Sequence, residues 1–187
     1  MSECVKVLRD ELPYNLHIFV NSVEFIAKVI DTLKLAHEAV KIVCSTSGDS
    51  RQENQRKLGN AYPIGQPSDP AKKINFYTST CFEGCDIFDP DGVTFIVSDG
   101  RKAHTLLDIS TLFTQICGRI RDSRYKTQIV HVYSTTKYSK AVTLDEFVAA
   151  TQRTLADAEK FASDINAVDE PSREKLLKKI PYINEQY

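Results

Sequence analysis

Five short apolar runs, separated by helical patterns or long connections, set the limits on what this chain can fold into. They are residues 16–20, 40–44, 74–77, 93–97 and 128–133. Each reads as a strand. The first ends at Asn21-Ser22, where Ser22 is suited to cap a helix carrying Phe25, Ile26, Val29, Ile30 and Leu33 at helical spacing. The second runs into a polar turn, residues 45–50. Ser50 is expected to cap a short charged helix over 51–58, and residues 59–71, with Gly59, Pro63, Gly65, Pro67 and Pro70, read as an irregular loop. Asp89-Pro90-Asp91-Gly92 is a turn before the fourth strand, and residues 106–113 read as a helix. Strands alternating with helices or long connections predict a parallel α/β sheet with helices on both faces. In such sheets function gathers in the loops at the carboxyl ends of the strands.

From residue 143 the texture changes. Leu144, Phe147, Val148, Leu155, Phe161 and Ile165 form one apolar helical stripe. Thr143 with Glu146 makes a capping-box start, and a second short helix is expected over 172–180. The stripe reads as core packing, with a partner-binding face as its alternative. Three parts result: residues 1–14 as a lead-in from an upstream domain, 15–142 as the α/β domain, and 143–187 as a helical extension.

The 187 residues carry a net charge of −1, so no global basic field advertises nucleic acid, and any contact with phosphate must be local. The five cysteines are odd in number and unevenly spaced. No secretory leader precedes them and no apolar run approaches membrane-spanning length. That predicts reduced thiols in a cytoplasmic, nucleoid or nuclear compartment, with no membrane partner.

The residues with chemistry to offer lie in a few places. Arg119 and Arg121 follow Gly118, so a turn there either presents two guanidiniums to an anion or leaves a solvated pair after a helix. Gln115 is a helix-surface amide or a polar sensor beside that pair. Thr78 and Ser79 close the third strand, and Asp86 is placed to cap the turn that follows. His17 reads as a satisfied core or edge histidine. Cys81 and Cys85 read as small, half-buried loop residues, because a zinc site needs about four ligands and no second His/Cys pair lies nearby. Cys117 is a packing residue, or a thiol made reactive by the neighbouring arginines. A free-standing α/β enzyme using Cys81, Cys85 or Cys117 finds no Cys-His pairing to recommend it.

Taken in order, these loops resemble the second RecA-like domain of superfamily 2 helicases, of the DEAD/DEAH type. Residues 17–22 are similar to motif IV and 47–58 to the H-G-D-x-x-Q-x-x-R segment. Residues 78–86 resemble motif V, in Thr78, Gly84 and Asp86, and residues 115–122 resemble motif VI, in Gln115, Gly118 and Arg119. The likeness covers roughly residues 15–135. It implies a RecA-like sheet that closes an ATP–Mg cleft with an N-terminal RecA-like domain of the same parent chain, and that grips DNA or RNA.

By the same resemblance, Arg119 is the arginine finger, Gln115 a γ-phosphate sensor, and Gly118 the residue that lets the backbone turn tightly. Asp86, with Gly84, serves the nucleotide ribose or the motor cleft. Thr78, Ser79, Ser22 and Ser47 hold nucleic-acid phosphates. The chain departs from the pattern at Asp122, where a second arginine is usual and for which Arg121 or Arg124 is the substitute, and at Val23 and Ser47. No G-x-x-x-x-G-K-[ST] loop and no D-E-x-[DH] pair occurs. The chain is therefore expected not to hydrolyse ATP alone. The alternative is a non-catalytic RecA-like module that binds nucleic acid or protein.

Overall fold

The computed structural model describes residues 2–134 and 142–177. Its centre is a sheet of five strands, all parallel: β1 Asn15–Phe19, β2 Val40–Val43, β3 Ile74–Tyr77, β4 Gly92–Asp99 and β5 Ile129–Ser134, in the order β2-β3-β1-β4-β5. Parallel pairing requires long crossovers, and helices supply several of them. The helices are α1 Ser2–Leu8, α2 Val23–Leu33, α3 Ser50–Leu58 and α4 Thr114–Cys117, the last continuing a π-helical turn at Ile109–Phe113. The fold class is therefore α/β, a RecA-like parallel sheet.

Side chains alternate across each strand and build two separate cores. On one face Leu16, Ile18, Ile42, Ile74, Phe76, Val93 and Phe95 pack with Ile26, Val29 and Ile30 of α2 and Leu58 of α3. On the other, Phe19, Val43, Tyr77 and Ile96 pack under Cys81, Phe82, Ile87, Ile116 and Ile120. Cover on the second face thus comes from α4 and from the connection between β3 and β4 rather than from a long helix.

Local sequence rules explain most boundaries. The Ser22 hydroxyl accepts from the Phe25 N–H at 3.2 Å, closing the start of α2 as expected. At α3 the expectation was off by one residue. The helix begins at Ser50, and Asp49 occupies the cap position without a side-chain hydrogen bond. Residues 2–8, part of the stretch read as a lead-in, form α1, which buries Cys4 and Val7 in the first core. The helix expected over 106–113 begins at Ile109, after Asp108 has accepted from the Ser110 N–H at 2.8 Å.

The chain divides into two units, Met1–Lys137 and Tyr138–Tyr187. The second contains α5 Leu144–Asn166 and α6 Glu170–Leu177. Thr143 and Glu146 form the reciprocal capping box at the start of α5. Of the apolar stripe, Leu144, Phe147, Val148 and Leu155 are exposed. The second helix starts two residues ahead of its expected position, and residues 178–180 lie outside the described residues. Among the described residues no helix is long and apolar enough to cross a membrane.

Candidate functional site

The connection from β3 runs down one face of the sheet, and the segment after α4 runs beside it. Ile87 and Ile120 form an isolated parallel bridge. The Ile87 N–H donates to the Arg119 carbonyl at 2.9 Å, and the Arg121 N–H donates to the Ile87 carbonyl at 3.0 Å. These bonds place residues 84–87 against residues 118–121. Asp86, Gly84, Gln115, Gly118, Arg119 and Arg121 are thereby brought together.

The two arginines do different work there. Arg119 is buried, only 7% exposed. Its Nε donates to the Gln115 carbonyl at 2.9 Å, one Nη to the Gln115 side-chain oxygen at 2.6 Å, and the other Nη to the Cys85 carbonyl at 3.0 Å. The guanidinium is a clamp between the two segments. Arg121 is half exposed and its Nε pairs with the equally exposed Asp86 at 2.7 Å. Gln115, expected as a sensor, holds Arg119 through its side-chain oxygen. Asp86 faces Arg121.

The glycines also divide. Gly84 sits at φ +72°, a left-handed conformation that disfavours any Cβ. Gly118 does not bear out its assigned role. It has φ −95° and ψ 2°, which other residues adopt, and an added Cβ would meet only the Gln115 carbonyl at 3.7 Å. The tight turn after α4 does not need a glycine.

The four residues assigned to nucleic-acid phosphates lie at the carboxyl ends of the strands but are not equivalent. Ser22 is a helix cap and Thr78 is buried, its hydroxyl 3.5 Å from that of Thr80. Ser79 is exposed, and its N–H donates to the Asn21 side-chain oxygen at 3.4 Å. Ser47 is exposed beyond β2, its hydroxyl 3.0 Å from that of Ser45. Asn21, which the sequence reading left without a role, also donates to the His104 carbonyl at 2.9 Å and so ties three rim loops together. An Asn at a strand end in a parallel sheet was the available signal.

Four exposed cations around this site have carboxylate partners, whereas the buried Arg119 has none among its three acceptors. Arg101 pairs with Asp99, Lys102 with Glu24, Arg121 with Asp86, and Arg124 with Asp91. The hydrogen bonds from Arg101 and Ser134 hold the Asp99 carboxyl well below the usual range. Asp122, where a second arginine was expected by resemblance, accepts the Asp89 N–H at 2.8 Å and is structural.

A second polar feature lies deeper. Lys41, Asn75, His17 and Thr94 are paired neighbours across β2, β3, β1 and β4, and all four are buried. His17 Nε2 donates to the Asp89 carboxylate at 2.8 Å and Nδ1 faces the Tyr77 hydroxyl at 3.1 Å, which makes it the satisfied core histidine expected. Burial works to raise the Asp89 carboxyl, but hydrogen bonds from His17, from Asn15 and from the Asp91 N–H outweigh it and hold the group below its ordinary value. Lys41 donates to the carbonyls of Pro67 and Asp69, and desolvation lowers its pKa.

Cys81 is fully buried and Cys85 half buried, with the Cys85 thiol donating to the Cys81 carbonyl at 3.3 Å. Among the described residues no group of three or more His, Cys, Asp or Glu is placed to hold a metal ion. No family model, no curated protein and no solved structure matches the chain.

Proposed function

We propose that this α/β domain is the second motor domain of an ATP-dependent nucleic-acid helicase or translocase. It would complete a nucleotide cleft with a P-loop domain carried in the same polypeptide or in another subunit. The observation that supports this reading is the pairing of residues 84–87 with 118–121 through the Ile87–Ile120 bridge and the Asp86–Arg121 ion pair. Two segments far apart in sequence, each similar to a nucleotide-cleft motif, lie together on one face of the sheet.

Within that reading the roles follow from exposure and bonding. Arg121 is the cation best placed to meet a phosphoryl oxygen, because one weak surface pair is all it must give up. Arg119, fixed by three acceptors, is a positioning residue that sets the height of Arg121. Bound ATP with magnesium would supply the transferring phosphoryl group; this chain would supply positive charge as that group leaves. The exposed hydroxyls of Ser47 and Ser79 would meet strand phosphates without reading sequence.

The test is nucleic-acid-stimulated ATP turnover by the native protein. Arg121→Ala should lower it by about 10³-fold or more, the scale of an arginine finger, while nucleotide affinity changes far less. Unchanged turnover in that variant sinks the assignment. A second reading, a non-catalytic RecA-like module for nucleic acid or protein, is favoured by the carboxylate partners on Arg101, Lys102, Arg121 and Arg124. Salt-dependent oligonucleotide binding without any stimulated turnover would select it.

A further inference from the structure

The loop that carries Asp86 also carries two thiols, one of them hydrogen-bonded to the backbone of the other. Cys81 ends a short 3-10 turn, Ser79–Cys81, and Cys85 follows four residues later, after Gly84 has reversed the chain. The Cys85 thiol donates a hydrogen bond to the Cys81 carbonyl at 3.3 Å. That bond holds the Cys85 sulfur against the Cys81 backbone, and a disulfide needs the two Cα atoms about 4.4–6.8 Å apart. Their exposures are complementary: Cys85 is partly exposed and Cys81 is fully buried.

We propose that Cys81 and Cys85 are a reversible redox pair, which closes to a disulfide on exposure to a hydroperoxide and resets the candidate site beside it. The partly exposed Cys85 sulfur attacks the peroxide, and its thiol proton passes to the leaving oxygen. The O–O bond breaks, an S–O bond forms, and an alcohol or water leaves, giving Cys85 sulfenic acid. The Cys81 sulfur then attacks the Cys85 sulfur, the S–O bond breaks, and water leaves with the Cys81 proton. The two thiols are oxidised by two electrons and the peroxide is reduced by two. The order of attack follows the burial, since desolvation pushes the Cys81 thiol up to about 12 and keeps it protonated.

The consequence lies in the next two residues. The Cys85 carbonyl is an acceptor of the Arg119 clamp, and Asp86 holds Arg121. Drawing the Cys85 sulfur onto Cys81 replaces its present hydrogen bond and pulls on both contacts. Gly84, the pivot between the cysteines, has no atom within 4 Å of the position a Cβ would occupy, so the loop has room to move. Control of turnover rests on the motor reading above; the disulfide itself does not.

The experiment is peroxide treatment of the full-length protein, then denaturation, alkylation with N-ethylmaleimide and tryptic mapping. Both cysteines fall in the peptide covering residues 74–101. The expected result is that peptide two hydrogens lighter, unalkylated, and restored by dithiothreitol, while Cys4, Cys44 and Cys117 remain alkylatable. Cys81→Ser should leave a Cys85 sulfenic acid that dimedone traps. Cys85→Ser, which spares the buried position, should abolish peroxide sensitivity of the peptide. Amide exchange at Ile87 and Arg121 should change by about tenfold or more on oxidation.

Alkylatable Cys85 after peroxide, its over-oxidation with Cys81 still free, or its linkage to another cysteine would overturn the proposal, as would unchanged exchange in the oxidised protein. If the disulfide forms and exchange shifts but stimulated ATP turnover is absent in both redox states, the motor reading fails and the redox pair stands.

Discussion

Replacing Arg119 should cost stability, whereas replacing Arg121 should not. The Arg119→Met variant keeps most of the side-chain stem and removes three charge-assisted hydrogen bonds. Of their acceptors, the Gln115 carbonyl keeps a second donor, the Gly118 N–H at 3.1 Å. The exposed Gln115 amide oxygen can turn to water. The Cys85 carbonyl loses the side-chain donor it has. Hydrogen bonds from a charged group contribute about 1.5–3 kcal/mol each, and an orphaned buried acceptor costs about 1–3 kcal/mol. These terms overlap, so about 3 kcal/mol is expected in all. That is a large share of the roughly 5–15 kcal/mol by which a domain is stable. It corresponds to a fall in Tm of about 6–12 °C at about 2–4 °C per kcal/mol for a chain near this size. Arg121→Ala breaks one exposed ion pair and should cost about 0–1 kcal/mol. Urea unfolding followed by amide exchange in β1, β3 and β4 reports this unit and not the C-terminal helices. An Arg119→Met variant within about 0.5 kcal/mol of the parent would refute the clamp, because a surface guanidinium behaves that way. Equal losses in the two variants would refute the division of roles.

Gly84→Ala should destabilise by about 1–2 kcal/mol from backbone strain alone, whereas Gly118→Ala should be neutral or stabilising by up to about 1 kcal/mol; denaturation midpoints separate them. Gly92→Ala should be worse than either, since its Cβ would lie 2.9 Å from the His17 ring, which Asp89 and Tyr77 pin in place. Asp89 has a folded-state value below its unfolded value near 3.9. The unfolded chain therefore binds that proton more readily, so the contribution is complete above about pH 4 and is lost as pH falls through the depressed folded value. Acid titration of Asp89→Asn should show a shallower loss of stability below pH 4 than the parent, and parallel curves would contradict this. Thr143→Ala removes one half of the α5 capping box and should reduce its helix stability by about 1 kcal/mol, read by circular dichroism.

The order of elements was legible because strands and capped helices announce themselves locally. The Ser22 cap, the Thr143–Glu146 box and all five strands could be read from neighbours a few residues apart. Helix α1 was less so, because Cys4 and Val7 have no meaning until the sheet they pack on exists. The candidate site was legible in composition but not in geometry. Thr78, Asp86, Gln115, Arg119 and Arg121 were all picked out, yet nothing in the sequence shows that Arg119 turns inward to the Cys85 carbonyl while Arg121 turns out to Asp86. That choice depends on the Ile87–Ile120 bridge, which joins residues 33 positions apart. Gly118 misled for the same reason: a glycine after a helix suggests a left-handed cap, but this chain leaves α4 in an ordinary conformation.

The buried polar row accounts for how that bridge is aimed. Both faces of a parallel sheet are normally apolar, and an unpaired polar group inside is costly. Here three of the four exceptions anchor a connection. Lys41 holds the loop before β3 through the Pro67 and Asp69 carbonyls. Asn75 closes the end of that loop on the Lys72 N–H and carbonyl. His17 holds the loop before β4 through Asp89. Asp89 lies three residues after Asp86, and its N–H is held by Asp122, the neighbour of Arg121. The histidine in the middle of β1 therefore fixes the far end of both segments that form the site. His17→Phe fills the space but removes the tether. It should loosen the 86–92 connection and raise amide exchange at Ile87 and Arg121 more than at α2, whose core lies on the opposite face. Uniform loosening across the sheet would instead mark His17 as ordinary packing, with the site positioned by the Ile87–Ile120 bridge alone.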